Sequence, residues 1–422
     1  MMPVADTLDP SRPGGAAAGR RTTAAIRGRA HGLLARARAG ESEWFAVDDG
    51  AMTNTAALVA EVTRARYPDL KIPFHSRWRH FEAGGVNRKA ELDKRMEGLP
   101  APEKARVWID LAVVSVLLDA GAGPDWKYTE PATGLTLTRS EGLGVASFHA
   151  FTSGMFSSDA RNPLRADAQG LRGVVADRLA AAFQAGGSNP LVGLEGRVVL
   201  LRRLGETLAE QPEVFGDPAR PGGLFDMMFS PLGPNVPPTA DVAAHDILSQ
   251  LLMSLSGIWP AANAIGTEPL GDCWRHPAAH GPGLTEGWMP FHKLSQWLTY
   301  SLLEPFQWAG VKVRGLDGLT GLPEYRNGGL MLDSGLLRLK DASTATRTWS
   351  VGDPFVVEWR ALTVALLDEL ADPVRKALGL DAETMPLACT LEGGTWAAGR
   401  ALAQRLRAGT PPLSIDSDGT VF

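Results

Sequence analysis

The stretch 355–378 constrains the fold more than any other, because apolar residues surround it through its middle turns. Glu358, Leu362, Ala365 and Glu369 fall at i, i+4, i+7 and i+11, while Arg360, Val364, Leu367 and Ala371 form a second row. A helix that is apolar on more than one side has to be packed on more than one side, so this one is expected at the centre of a helical body. Glu358 and Arg360 sit in its first turns, roughly 200° apart. Burying a charge is unfavourable unless it is paired, so each needs its own partner. The plainer account is a carboxylate favoured by the helix dipole and a surface arginine.

The rest of the chain repeats the helical pattern. Ala-, Leu- and Arg-rich segments with helical spacing cover 54–66, 102–120, 171–184, 197–211, 241–255, 290–308 and 395–407. Gly/Pro punctuation separates them at 121–124, 186–187, 217–238 and 281–283. Strand-like runs are confined to 135–138 and 196–201, the second overlapping a helix candidate. These features predict a mainly α fold with minor β. Residues 1–23 are rich in Pro, Gly, Ala and Arg with no apolar h-region, so they read as a mobile tail and not as a secretory signal. Residues 24–422 read as a single helical catalytic body, with the one candidate boundary between lobes at 217–238. Phe225, Met227, Met228 and Phe229 imply that part of that stretch packs over something.

Composition narrows the function. A formal net charge of −5 argues against a protein that tracks nucleic acid, which needs a clustered basic excess, and is compatible with a small anionic substrate. Cys273 and Cys389 are the only cysteines, too few for a disulfide framework and in keeping with reduced thiols in a cytoplasmic protein. No apolar run approaches the ~20 residues of a bilayer span, so no membrane partner is expected. Twelve Trp against four Tyr suits flat, half-wet pocket walls. The oligomeric state is left open.

Three polar clusters interrupt apolar sequence at 290–296, 322–329 and 352–360. In the first, Lys293, Trp297, Ser301 and Glu304 share a helix face and His292, Gln296 and Tyr300 the next. That pattern suits a small polar ligand, and equally a partly exposed amphipathic helix. In the second, Pro323 fixes a turn and Asn327-Gly328-Gly329 tolerates positive φ. Glu324 is therefore expected on a rigid loop, as a general base or cation stabiliser; a capping box or surface turn is the plainer account. The third cluster holds Glu358 and Arg360. All three are expected to converge on one pocket, with Lys293 and Glu324 facing it together.

In this order the clusters resemble the motifs of the queuosine-nucleotide N-glycosylase (queuosine salvage) family, which read about Phe-Tyr-Lys-Arg-Ala-Gln, Phe-Ala-Asp-Tyr-Arg and Val-Glu-Ile-Arg. Lys293 and Gln296 match the first, Glu324, Tyr325 and Arg326 the second, and Glu358 with Arg360 the third. Glu324 stands where that family has Asp, and His292 where it has Tyr. Over the whole chain, including 123–128, 140–144 and the ending 418–422, the sequence resembles the family encoded among the reductive-pathway-independent uracil-catabolism genes.

The resemblance implies a helical DNA-glycosylase-like (helix-hairpin-helix-type) architecture. It also implies an N-ribosyl hydrolase, without cofactor, that cuts a ribose 5-phosphate adduct; ribosylurea phosphate, giving urea and ribose 5-phosphate, is the candidate substrate. The partner is then a small phosphorylated nucleoside-like molecule. Glu324 would stabilise the oxocarbenium-like state and orient water, Lys293 would hold a substrate oxygen or tune Glu324, and Glu358 would complete the catalytic set. Arg326 or Arg360 would bond a carboxylate or phosphate, with Tyr325, Gln296 and His292 beside the substrate.

Other segments offer further candidates. Gly393, Gly394 and Thr395 open the last long helix with Arg400 further in, and two glycines let backbone N–H groups approach a phosphate there. An ordinary glycine turn with a Thr cap explains them as well. Trp126 suits stacking on a base or urea-like group, or a place in the core. His75, Arg77, Trp78 and His80 form a polar-aromatic knot over the pocket or the core. Cys273, His276 and His280 have a spacing compatible with zinc, but Pro277 interrupts the register and only Asp272 offers a fourth ligand, so no metal is expected. Two alternatives to a glycosidase stand beside it: a metal-assisted amidohydrolase of a ring-opened pyrimidine nucleotide using that loop, and a non-catalytic binding protein on the same scaffold.

Overall fold

The computed structural model describes residues 8–119, 121–229, 241–259 and 263–416. Helices carry the architecture: α1 (Pro13–Arg20), α2 (Thr23–Arg38), α3 (Met52–Arg66), α4 (Ala101–Leu117), α5 (Arg139–Thr152), α6 (Leu194–Glu210), α7 (Ala244–Leu255), α8 (Lys293–Trp308), α9 (Tyr325–Asp333), α10 (Pro354–Leu378) and α11 (Trp396–Arg407), with shorter turns between them. Among the described residues, strands occur only as two-stranded pairs.

Helix α10 is the centre. Its residues from Phe355 to Leu367 are all buried, as apolar rows on several sides require. Helices α2 and α3 pack against it, α9 lies across it, and α9 in turn packs on α11. Helix α8 lies against α4. One hydrophobic cluster runs through these elements from Ile26 to Leu413.

The two charges at the head of α10 find partners on either side of one short strand. Arg360 donates from Nη1 and Nη2 to the two carboxylate oxygens of Asp272, at 2.7 and 2.8 Å. Glu358 meets His276 Nε2 at 3.2 Å. Asp272 and His276 flank the strand Cys273–Arg275, which pairs antiparallel with Trp288–Pro290. Burial would raise the Asp272 carboxyl, but Arg360, the Lys293 backbone N–H and the Trp274 indole outweigh it and hold it below the ordinary range.

Several expected elements differ. The segment 171–184 divides into Ala168–Arg172 and Ala176–Ala182, with Asp167 capping the first through the Gly170 N–H. The stretch 196–201 is helical inside α6, because Val198, Leu201, Leu204 and Leu208 form a buried stripe at helical spacing. The strand at 135–138 forms as Thr136–Thr138, antiparallel to Lys127–Thr129. Within 1–23, α1 packs its small residues Ala16 and Ala17 against Ile265, Leu270, Cys273 and Trp288. In the 217–238 stretch, Gly223–Phe229 is a helix and Phe225 rests on Phe306, with ring centroids 5.6 Å apart. Its remainder, 230–238, lies outside the described residues, as does the ending 418–422.

Helix α9 was hidden by its own glycines. Gly328 is helical because Trp359 of α10 leaves no room for a side chain: a Cβ would lie 2.6 Å from the indole, whose Nε1 donates to the Gly328 carbonyl at 3.1 Å. Substituting G328A should therefore destabilise the protein by about 1–3 kcal/mol through overpacking, read as a lower denaturation midpoint. Asp272→Asn removes the carboxylate from the buried bidentate pair with Arg360 and should cost about 3–5 kcal/mol. Because the Asp272 carboxyl is held low in the folded state, its stabilisation is present above the unfolded aspartate pKa and lost as pH falls through the folded one. Thermal melts across the acid range should show wild type and D272N converging as the pH drops.

Candidate functional site

A cavity of about 700 Å³ opens where the N-terminus of α8, the N-cap of α9, the start of α5 and the turn into α11 meet the segment 75–80, Asp119 and residues 121–124. Its wall carries Lys293, Leu294 and Trp297 from α8, Glu324 and Tyr325 from α9, Arg139, Ser140 and Glu141 from α5, and Glu392, Trp396 and Arg400 around α11. Arg66, His75, Arg79, His80 and Asp119 complete the charged lining. The volume is of the size that encloses a nucleotide-like small molecule.

Glu324 is the N-cap of α9. Its Oε2 accepts from the Arg326 backbone N–H at 2.7 Å and its Oε1 from that of Asn327 at 2.6 Å. The cap bonds fix both oxygens at the positive end of a helix. Burial pushes the Glu324 carboxyl above its ordinary pKa, and the two N–H bonds and Lys293 oppose the rise without cancelling it. Burial pushes the Lys293 amine down, opposed first by Glu324. Among the described residues Lys293 Nζ makes no hydrogen bond; its backbone N–H donates to Asp272 Oδ2 at 2.9 Å, which sets the first turn of α8. A buried carboxylate and an amine without a hydrogen-bonded partner thus face one cavity.

A second acid sits beside them. Glu392 lies in the wide π-turn Leu391–Thr395 just before α11. Its Oε1 accepts from Arg66 Nη2 at 2.7 Å and Tyr67 OH at 3.0 Å, and its Oε2 meets His75 Nδ1 at 2.8 Å. Burial would raise this carboxyl, but His75 and Arg66 outweigh it and bring it down to about 2. Deeper in, Arg77 pairs with Asp119 at 3.1 Å. Burial and the Arg77 charge push His80 down to about 4, so that ring is neutral at physiological pH.

Of the residues singled out from sequence, Lys293, Glu324, Tyr325 and Arg400 line the cavity together. Arg400 sits at its exposed edge, 3.3 Å from Glu141. His75, His80 and Trp297 line the cavity as well, while the remaining candidates lie outside the lining. Arg326 lies over the Tyr325 ring, 4.8 Å from its centroid. Gln296 exchanges hydrogen bonds with Thr320, and His292 Nε2 meets the Arg20 carbonyl at 3.1 Å. Glu358 and Arg360 are held by the strand described above, one layer below Lys293. Gly393, Gly394 and Thr395 are buried, and Gly394 is turned against α3: a Cβ there would lie 2.5 Å from the Val59 carbonyl and from Thr63 Oγ1. Trp126 is in the core, donating to the Phe183 carbonyl at 3.0 Å.

The loop with metal-like spacing is spread out. Cys273 is buried against α1, His276 is bonded to Glu358, and His280 meets Glu286 at 2.8 Å near the surface. Among the described residues no three His, Cys, Asp or Glu side chains gather as a metal site would need.

Sequence reasoning gave no role to Asp119 or Arg139. It set His75 in the polar-aromatic knot at 75–80 without saying which of its two histidines would serve a site, and both line the cavity. Glu392 and Trp396 flank the glycines read as a phosphate site, but nothing local told that Glu392 would bond Arg66, Tyr67 and His75, which lie more than 300 residues earlier.

Residues 20–422 match the family model described as "Protein of unknown function (DUF1688)". The protein called "Uracil catabolism protein 4" of Lachancea kluyveri is 39% identical over 378 residues, which cover 83% of this chain and 85% of that protein. "Protein urg3" of Schizosaccharomyces pombe is 38% identical over 409 residues, 94% of this chain and 96% of that one. On these likenesses, together with the match over 20–422, the chain belongs to the DUF1688 family.

Proposed function

We propose that this protein is an N-ribosyl hydrolase of uracil catabolism, cleaving a ribose 5-phosphate adduct such as ribosylurea phosphate to urea and ribose 5-phosphate. The pathway comes from the relative whose name carries uracil catabolism. The reaction rests on one arrangement above all: the buried Glu324 carboxylate, held by two backbone N–H groups, lining one cavity with Lys293. The mainly helical fold agrees with the DNA-glycosylase-like architecture that the resemblance to the queuosine-nucleotide N-glycosylases implies.

Breaking the C1′–N bond builds positive charge on the ribose ring, and an anion fixed beside C1′ stabilises it without reorganising. Glu324 meets that need, since the helix cap sets its position before substrate arrives. Its raised pKa brings it closer to neutrality, where a carboxylate also accepts a proton from attacking water. Lys293, with no hydrogen-bonded protein partner among the described residues, holds a substrate oxygen and limits the rise of the Glu324 pKa. Arg400 and Arg139, both exposed at the cavity edge, are the cations placed to meet a phosphate that stays near solvent.

Incubation with ribosylurea 5-phosphate should release urea and ribose 5-phosphate in equal amounts. Substituting E324Q should lower kcat about 10²–10³-fold with little change in KM, as expected when an interaction made in the transition state is lost. Turnover of E324Q at the wild-type rate sinks the mechanism. Since Lys293 holds the Glu324 pKa down, K293M should raise it further, and the acidic limb of the kcat/KM profile should move to higher pH.

A further inference from the structure

We infer that His75 is the general acid that protonates the departing nitrogen, held for that task by Glu392. This inference rests on the glycosidase reading of the same cavity. Its basis is the geometry of the ring. Nδ1 is 2.8 Å from Glu392 Oε2, and the His75 backbone N–H donates to the Ala388 carbonyl at 3.0 Å, so both main chain and ring are anchored to the turn before α11. In an imidazole the second nitrogen points away from the first. His75 lines the cavity, and among the described residues its Nε2 has no hydrogen-bond partner.

Arg66 and the Tyr67 hydroxyl occupy Oε1 of Glu392, which leaves Oε2 to the His75 ring. His75 is the largest influence holding the carboxyl low against burial, so ring and carboxylate are coupled. An ionised carboxylate on Nδ1 keeps a proton there, fixes the ring, and makes Nε2 the nitrogen that exchanges protons with a ligand. This is the logic by which a buried acid orients a catalytic histidine in other enzymes.

The reaction calls for such a group. A ureido nitrogen leaves poorly as an anion, and Glu324 is engaged with the ring cation and the water. As the C1′–N bond breaks, its electron pair stays on nitrogen and takes the proton from His75 Nε2. The oxygen of water bonds to C1′, and its proton passes to Glu324. The products are urea and ribose 5-phosphate, with His75 neutral and Glu324 protonated; solvent exchange resets both. His80, the neighbouring histidine, is unsuited to this part, being neutral and sealed at Nδ1 by burial.

The charged groups around the His75 ring are Glu392 and Arg66 on the Nδ1 side and Glu324, Lys293, His80 and Arg79 in the cavity wall. The test compares two substrates, ribosylurea 5-phosphate and para-nitrophenyl riboside 5-phosphate, whose phenolate leaves without a proton. With H75Q, cleavage of the ureido substrate should fall about 10²–10⁴-fold, while cleavage of the aryl substrate changes less than about threefold. E324Q should lose both. Equal losses on both substrates in H75Q show His75 to be structural and overturn the inference while leaving the Glu324 mechanism standing. Retention of both in E324Q overturns the mechanism itself. Should H75Q fail to fold, wild-type protein decides: kcat/KM must fall at alkaline pH for the ureido substrate and stay level for the aryl one, and parallel profiles refute the role.

Discussion

The bidentate bond between Arg360 and Asp272 holds the fold and the cavity in register. Arg360 belongs to the buried helix α10, and Asp272 immediately precedes a short strand far from it in sequence. The same Asp272 receives the Lys293 backbone N–H and the Trp274 indole, and its carbonyl receives the N–H groups of Phe291 and His292. His292 adopts φ 49°, a left-handed turn tolerated because these bonds over-determine it. The direction in which α8 leaves the strand, and hence where Lys293 emerges, follows from one buried ion pair. A residue with no exposure to the cavity thereby decides the placement of one that lines it.

Three carboxyl groups near the cavity show how environment separates chemically similar side chains. Glu392 is bonded by Arg66, the Tyr67 hydroxyl and the His75 ring, and its carboxyl is held down against burial. Glu304, buried against Arg79 and Ser76, is raised by burial despite both partners. Glu324 is also raised by burial, and is restrained by backbone dipoles and by an amine that it does not bond. Groups whose surroundings push their pKa values apart are the ones that divide acid and base roles. A permanently charged Glu392 is of no use for moving protons and of great use for holding a histidine that does.

Much of the fold was legible because it depends on local periodicity. The apolar rows of α10, the stripe of α6 and the boundaries of α3 and α8 are written in spacing alone. What escaped was set by contact. Helix α9 carries Asn327-Gly328-Gly329, which reads as a turn until the Trp359 indole is known to occupy the space of a side chain. Helix α2 has a proper Thr22 cap and a buried row of Ile26, Ala30, Leu33 and Ala37, but its Arg and Gly content obscured the pattern. In the site, Lys293 and Glu324 were found because the residues stand in short polar clusters. Glu358 and Arg360 carried the same signal and lie a layer below, since a buried charge announces a partner without saying whether that partner is protein or ligand. His75 and Glu392 each stood in a polar cluster visible in the sequence, but their pairing was beyond reach, being made only by the fold.

The two readings of Glu324 that sequence set against each other, helix cap and reactive carboxylate, describe one physical state. A carboxylate that caps a helix has its oxygens aimed and its rotamers removed, and it sits in the field of the helix N-terminus. Those same bonds weaken it as a base, because each N–H favours the ionised form. Burial works in the opposite direction and prevails. The side chain is consequently rigid and still raised in pKa, a combination that a free surface glutamate lacks on both counts. Gly328 sits one turn into the same helix, fitted under Trp359, and the helix axis that aims Glu324 is thus set by the packing of α9 on α10. Preorganisation at the cavity is in this sense a property of the core, and a core substitution that leaves every lining residue in place is sufficient to misdirect the carboxylate.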